Sequence, residues 1–143
     1  MADSCDTYLE GCLYFSSNSL TRRLNEMADE AFKFTDMAAA YSYLMLIIID
    51  KPGLSQGELG KIMNLKASTI TRFVDKLIEK AFVERITKNR FACIYATEEG
   101  KNFRVIIEQA LKMLHQKYID KLGEEQASKL VADIQYASIQ LES

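Results

Sequence analysis

Proline is almost missing from this sequence: one residue, Pro52, stands among 143, and glycine occurs six times. So few breakers leave long uninterrupted segments, and helix dominates the reading. Histidine occurs once, as His115, and no second ligand lies within reach of it by spacing. It reads as a solvated or hydrogen-bonded structural residue rather than a catalyst. Cysteine occurs three times, at 5, 12 and 93. An odd count with no Cys-x-x-Cys pair argues against a disulfide framework and against structural zinc. No run of 18 uncharged apolar residues exists, and the most apolar stretch, Tyr43 to Ile49, is too short to span a bilayer. The opening MADSCDTYLEG lacks the basic start and apolar run of a secretory signal, so a cytoplasmic location is expected. There is no nucleophile–base pair, glycine-rich phosphate loop or metal-ligand cluster. An enzyme is therefore not expected, nor a cofactor or a bound metal.

What is present is a core and an uneven distribution of charge. Apolar residues make up 48% of the chain, enough for one domain with a real interior. Net charge is only −2, but residues 61–90 hold eight Lys and Arg (Lys61, Lys66, Arg72, Lys76, Lys80, Arg85, Lys88, Arg90) against three acids. That segment carries +5 and the remainder −7. An acidic body with a basic reading element can still dock on phosphates, since only the contacting face must neutralise charge. Ordinary scatter on a solvated helix is the competing reading.

The segment from Leu54 to Gly100 organises the rest. Ser55 and Glu58 have capping-box spacing and start a helix that runs to about Met63. Asn64 ends it, because Asn tolerates the left-handed backbone of a tight turn. A second helix spans roughly Ala67 to Lys80. Its apolar face is Ile70, Phe73, Val74, Leu77 and Ile78. The other face shows Ser68, Thr69, Thr71, Arg72, Asp75 and Lys76, hydroxyls and cations suited to phosphates and base edges. Phe82 to Ile86 and Arg90 to Ala96 read as two short strands around a polar turn, and Thr97 with Glu98 and Glu99 starts the next helix.

Outside this segment, one helix is expected from about Thr7 to Phe32, with a stripe of Leu9, Leu13, Leu20, Leu24 and Met27. Another runs from about Asp36 to Ile49, capped by Thr35 or Asp36. The helix after Thr97 carries Phe103, Ile106, Ile107, Ala110, Leu111, Leu114 and Tyr118, and Leu122-Gly123 breaks it. The last helix carries Ala127, Leu130, Val131, Ile134 and Leu141. The fold class is mainly α with a two-stranded β wing: a winged helix-turn-helix with long terminal helices. The expected division is 1–34 as an N-terminal dimerisation helix, 35–100 as the winged helix-turn-helix and 101–143 as C-terminal dimerisation helices, one structural domain overall. Long apolar stripes need a surface to bury against, and a second copy would supply it. A twofold dimer presents two recognition helices to successive major grooves, about 34 Å apart.

These residues resemble the MarR family of bacterial winged-helix transcription regulators. SQGELGKIMNLKASTITRFVDKLIEKAFVER follows the family pattern through both helices into the first strand, and YATEEGK resembles the end of its wing. The resemblance implies a homodimer made by the terminal helices, and recognition of double-stranded DNA through Ser68, Thr69, Thr71, Arg72 and Lys76. It implies a regulator, a repressor by expectation, on a pseudo-palindromic operator and released by a small-molecule or oxidant signal. Family wings carry an Asp-x-Arg signature. Here Arg90 falls at the Arg position, Lys88 replaces the Asp, and the turn is shorter. Lys88 adds charge without sequence specificity. Lys66 stands where the recognition helix often has an acidic or polar cap, with Ser68 as the alternative cap. The altered wing and the net acidity leave a second class open, a winged-helix dimer that serves as a protein-interaction module.

Three further features concern signals. Some branches of the family sense organic peroxide through a cysteine in the first helix, and CLYFSSNSLTRR loosely resembles them, with Cys12 as the redox candidate. Aligned on Ser16-Ser17, however, the reactive position falls on Glu10, and a small core residue is the alternative for Cys12. Cys5 and Cys12 on one helix would lie about 10 Å apart along its axis, too far for a disulfide between them. A bridge between subunits stays open. Cys93 alternates with Phe91 and Tyr95 in a strand, which points to packing. The aromatics Tyr14, Phe15, Tyr41 and Tyr43, with Tyr8 beside them, are candidates for binding a small aromatic effector, or for core and interface.

Overall fold

The computed structural model describes residues 8–142. The elements, in order, are α1 (Leu13–Phe32), a 3₁₀ turn (Lys33–Thr35), α2 (Ala39–Asp50), β1 (Leu54–Ser55), α3 (Gln56–Met63), α4 (Ala67–Glu79), β2 (Val83–Lys88), β3 (Phe91–Ala96), α5 (Glu98–Asn102), α6 (Arg104–Leu122) and α7 (Glu124–Gln140). They form two compact units, residues 32–110 and residues 1–31 with 111–143. The chain is mainly helical with one small antiparallel sheet, ordered β1-β3-β2.

The unit of residues 32–110 grows from local signals. Ser55 accepts from the Glu58 amide while the Glu58 carboxylate accepts from the Ser55 amide, which completes the capping box of α3. Asn64 turns left-handed (φ 55°) and closes α3, and the Leu65 amide returns to the Gly60 carbonyl at 2.9 Å. A Cβ on Gly60 would meet the Leu65 carbonyl at 3.2 Å, so the turn is tight because residue 60 is small. α4 buries Ile70, Val74 and Leu77 against a core that includes Leu44, Met45, Ile48, Leu59, Val83 and Ile94. Tyr41 of α2 stacks on Phe73 of α4 at 4.3 Å.

The end of α4 and both ends of the wing converge on two carbonyls. Ala81 adopts φ 65°, which reverses the chain into β2. Thr97 donates its hydroxyl to the Ala81 carbonyl (2.7 Å) and its amide to the Phe82 carbonyl (3.0 Å), and its hydroxyl accepts from the Gly100 amide (3.1 Å). The first turn of α5 is thus pressed onto the start of β2. A Cβ on Gly100 would lie 2.1 Å from the Phe82 oxygen and 2.7 Å from Met45 Cε. Arg104 at the head of α6 reaches both oxygens of Asp50 (2.5 and 3.3 Å) and Glu108 (2.8 Å). The guanidinium holds the Asp50 carboxyl below its ordinary range.

Several expectations need correction. The first helix is interrupted: residues 8–10 are helical, Gly11 and Cys12 break the run, and α1 begins at Leu13. Gly11 at the break is consistent with glycine's poor helix propensity. Leu9 and Leu13, expected on the buried stripe, are 39% and 67% exposed. Cys5 lies outside the described residues, so its spacing to Cys12 goes without a structural counterpart. Neither Thr35 nor Asp36 caps α2. The cap is Ala38 with no side-chain bond, Asp36 turns left-handed (φ 56°), and Thr35 is buried with its hydroxyl accepting from the Met37 amide at 3.0 Å. The helix after Thr97 is broken at Phe103, which stacks on Phe82 at 4.7 Å. Leu141 is the C-cap of α7 rather than part of it. The sheet has a third strand: Leu54 and Ser55 pair with Ile94 and Cys93. Two residues are too few to show a strand period in sequence.

The wing turn is a two-residue hairpin, Asn89–Arg90, with Lys88 paired to Phe91. Both turn residues have positive φ, 48° and 72°. A type I′ geometry matches the strand twist but favours Asn-Gly, so arginine at the second position is strained.

The unit of residues 1–31 with 111–143 has little interior of its own. Ala31 and Ala127 are its buried apolar residues among those described, while Tyr14, Val131, Ile134, Tyr136 and Ile139 are exposed. Lys117 pairs with Glu30 at 3.1 Å. Leu20, Leu24, Tyr118, Leu122 and Leu130 help line an apolar hollow of about 190 Å³.

Two stability outcomes follow from this packing. Gly100→Ala should destabilise the protein by about 3 kcal/mol, the upper end of overpacking costs, because the obstacle is backbone. Arg90→Gly should stabilise it by about 1 kcal/mol by relieving the left-handed arginine. Urea denaturation followed by circular dichroism checks both, and an unchanged midpoint for Gly100→Ala would contradict the close approach.

Candidate nucleic-acid interface

The exposed side of α4 carries the residues picked out in the sequence, but not in equivalent states. Lys66 occupies the N-cap position and makes no side-chain cap bond, so Ser68 lies inside the helix at its second position, exposed and not capping. Thr69 is half-buried. Arg72 is exposed, and among the described residues no hydrogen bond or ion pair engages it. Lys76 makes only a long contact with Glu79 (3.7 Å) on open surface, which holds it weakly.

Thr71 and Asp75 belong to a network that the sequence reading missed. Arg85, on the face of β2 that also carries buried Val83, sends Nη2 to Asp75 Oδ1 and Nε to Gln56 Oε1, both at 2.8 Å. The Gln56 amide nitrogen donates to Thr71 Oγ1 at 3.1 Å, and Thr71 Oγ1 donates to the Ala67 carbonyl at 3.0 Å. One guanidinium thus links the wing to the first residue of α3 and to the middle of α4. It also compensates the Asp75 carboxylate, a negative charge that would otherwise stand on the basic face. The available signal was a charged residue at an inward position of β2, two residues after Val83.

The wing holds Lys88 and Arg90 differently. Lys88 Nζ donates to the Tyr95 hydroxyl at 2.9 Å and lies over the ring. That bond favours the charged amine and raises its pKa, so Lys88 remains a cation. Glu84, Ile86, Lys88, Phe91, Cys93 and Tyr95 share the outer face of the β2–β3 hairpin by register. Arg90 sits in the turn itself, exposed.

The candidate signal residues fall in both units. Cys12 is half-buried at the break before α1, and Cys93 is half-buried in β3; both are free thiols. Tyr41 is engaged in the stack on Phe73, while Tyr43 is 44% and Tyr14 80% exposed, with Phe15 at 39%. None of these four aromatics lines the apolar hollow beside Tyr118. His115 is exposed and stacks on Tyr118 at 5.2 Å. Among the described residues, no group of three or more His, Cys, Asp or Glu is placed to hold a metal. No single helix there is long and apolar enough to cross a membrane.

Comparisons with known proteins agree with this geometry. The family model for the MarR family matches residues 40–90. A protein of Thauera aromatica, named as a transcriptional regulator for the hcr operon, is 30% identical over 91 residues, covering 62% of this chain and 55% of that protein. The chain therefore spans about half the length of this curated relative. The repressor CouR bound to a 23-mer DNA duplex has a TM-score of 0.86 against this fold, with 13% identity over 96% of this chain and 99% of that one. CouR from Rhodococcus jostii RHA1 bound to p-coumaroyl-CoA has a TM-score of 0.80 and 20% identity, covering 94% of this chain and 97% of that one. Residues 40–90, which hold the helix-turn-helix and the first wing strand, are thus similar to the MarR family of transcription regulators, and the fold around them is the winged helix of its solved structures.

Proposed function

We propose that this protein is a sequence-specific DNA-binding transcriptional regulator, a cytoplasmic repressor acting as a homodimer on a pseudo-palindromic operator. The observation that carries the reading is the state of α4. Arg72 stands exposed and unengaged among the described residues, while the one acid beside it, Asp75, is compensated by Arg85. The reading face is left with positive charge and hydroxyls, the chemistry that major-groove helices use. In this assignment Ser68, Thr69, Thr71, Arg72 and Lys76 face the groove, and Lys88 and Arg90 approach the backbone from the wing.

The homodimer is supported by the apolar side chains that α1 and α7 leave exposed. Tyr14, Leu13, Tyr136 and Ile139 are each at least 66% exposed, and apolar side chains gathered on exposed helix faces mark interaction surfaces. A small aromatic effector is supported by the p-coumaroyl-CoA bound to CouR and by the aromatic side chains Tyr14, Phe15, Tyr41 and Tyr43. Cys12 is the residue through which an oxidant would act. The two-residue wing turn favours one rival, a winged-helix dimer that binds protein rather than DNA, because so short a hairpin offers little reach along a groove.

Fluorescence anisotropy against the DNA upstream of its own gene, beside a scrambled duplex and across a salt series, tests the reading. Retention of neither duplex at low salt would favour the interaction module. Arg72→Ala should weaken specific binding by ~1–3 kcal/mol with little effect on the scrambled duplex. An equal loss on both would remove Arg72 as a base reader. Lys88→Ala should weaken both alike and flatten the salt slope by about one unit.

A further inference from the structure

The hydrogen bonds around Thr71 determine which part of that side chain can meet a base. The Asp75 carboxylate anchors Arg85 at 2.8 Å. A guanidinium only donates, so the Gln56 atom facing it must be the carbonyl oxygen. The Gln56 nitrogen is then the atom facing Thr71, and it can only donate. Thr71 Oγ1 must therefore accept from Gln56, and its single proton goes to the Ala67 carbonyl. Asp75, Arg85 and Gln56 together leave the threonine hydroxyl with no proton to offer outward and one lone pair, so toward a base it can only accept. Thr71 is nevertheless exposed. The group on the same carbon that remains free of these bonds is the γ-methyl.

We propose that the Asp75–Arg85–Gln56 chain sets a specificity of the recognition helix: Thr71 reads DNA through its methyl group and selects thymine at one position of each half-site. This inference rests on α4 being a sequence reader. A threonine methyl makes an apolar contact with the thymine 5-methyl, the one apolar feature on a major-groove base edge. Gln56 and Arg85 act only by engaging the hydroxyl, without touching the base.

The test uses the full-length protein and a duplex enriched by it from a random-sequence library. Each thymine of the enriched duplex is replaced in turn by deoxyuridine, which lacks only the 5-methyl. Wild type should bind about four-fold more weakly at one replaced position per half-site, the value of one buried methyl-sized group. Thr71→Val keeps a methyl and loses the hydroxyl, and should show the same four-fold sensitivity. Thr71→Ser keeps the hydroxyl and loses the methyl, and should bind the thymine and uracil duplexes alike. Indifference of wild type to uracil at every position, or loss of binding by Thr71→Val but not Thr71→Ser, would overturn the inference while leaving the helix a sequence reader. Failure of the library to yield any enriched sequence would instead overturn the reading of α4, and this inference with it. Thermal melting of both variants separates a binding change from misfolding.

Discussion

The winged helix depends on the carbonyls of Ala81 and Phe82. The chain reverses there after α4, with Ala81 in the left-handed region, and Thr97 returns from the far end of the wing to bond both groups. A hairpin of six-residue strands is marginal by itself in water. Here its base is closed twice, by ladder pairing between Val83 and Ala96 and by the Thr97 bonds immediately beyond. Gly100 lets the α5 backbone come close enough for those bonds to form. α4, the wing and α5 are fixed relative to one another by a few polar contacts over a shared apolar core.

Arg85 adds an electrostatic constraint to this steric one. It is half-exposed, so its contribution to stability is small after solvent screening. Its importance is one of geometry and charge. It connects β2 to both helices of the helix-turn-helix, and it offsets the acid nearest the basic face. An acidic protein can thus carry a locally basic face without a large excess of lysine and arginine.

The unit of residues 1–31 with 111–143 presents the opposite situation. Its helices follow apolar stripes, yet among the described residues only Ala31 and Ala127 are buried apolar side chains there. Helical stability in water comes mostly from packing of an apolar face. Faces this open are the physical motive for a second copy in the proposed dimer.

The sequence by itself determined the elements whose causes are local. The Ser55–Glu58 capping box, the left-handed Asn64, the 3.6-residue period of Ile70, Val74 and Leu77, and the Thr97 cap each involve residues within a turn or two of one another. The winged-helix class followed from their order. What only the tertiary structure decided involves partners far apart in the chain or too short a segment to carry a period. β1 is two residues long and exists because β3 lies beside it. The break at Phe103 goes with a stack on Phe82, 21 residues earlier by number. The roles of Asp75 and Thr71 are set by Arg85 and Gln56, which pattern alone assigns to other elements. A helical wheel shows which side chains point outward. It does not show which of their protons and lone pairs are already engaged, because that depends on neighbours the fold brings from elsewhere.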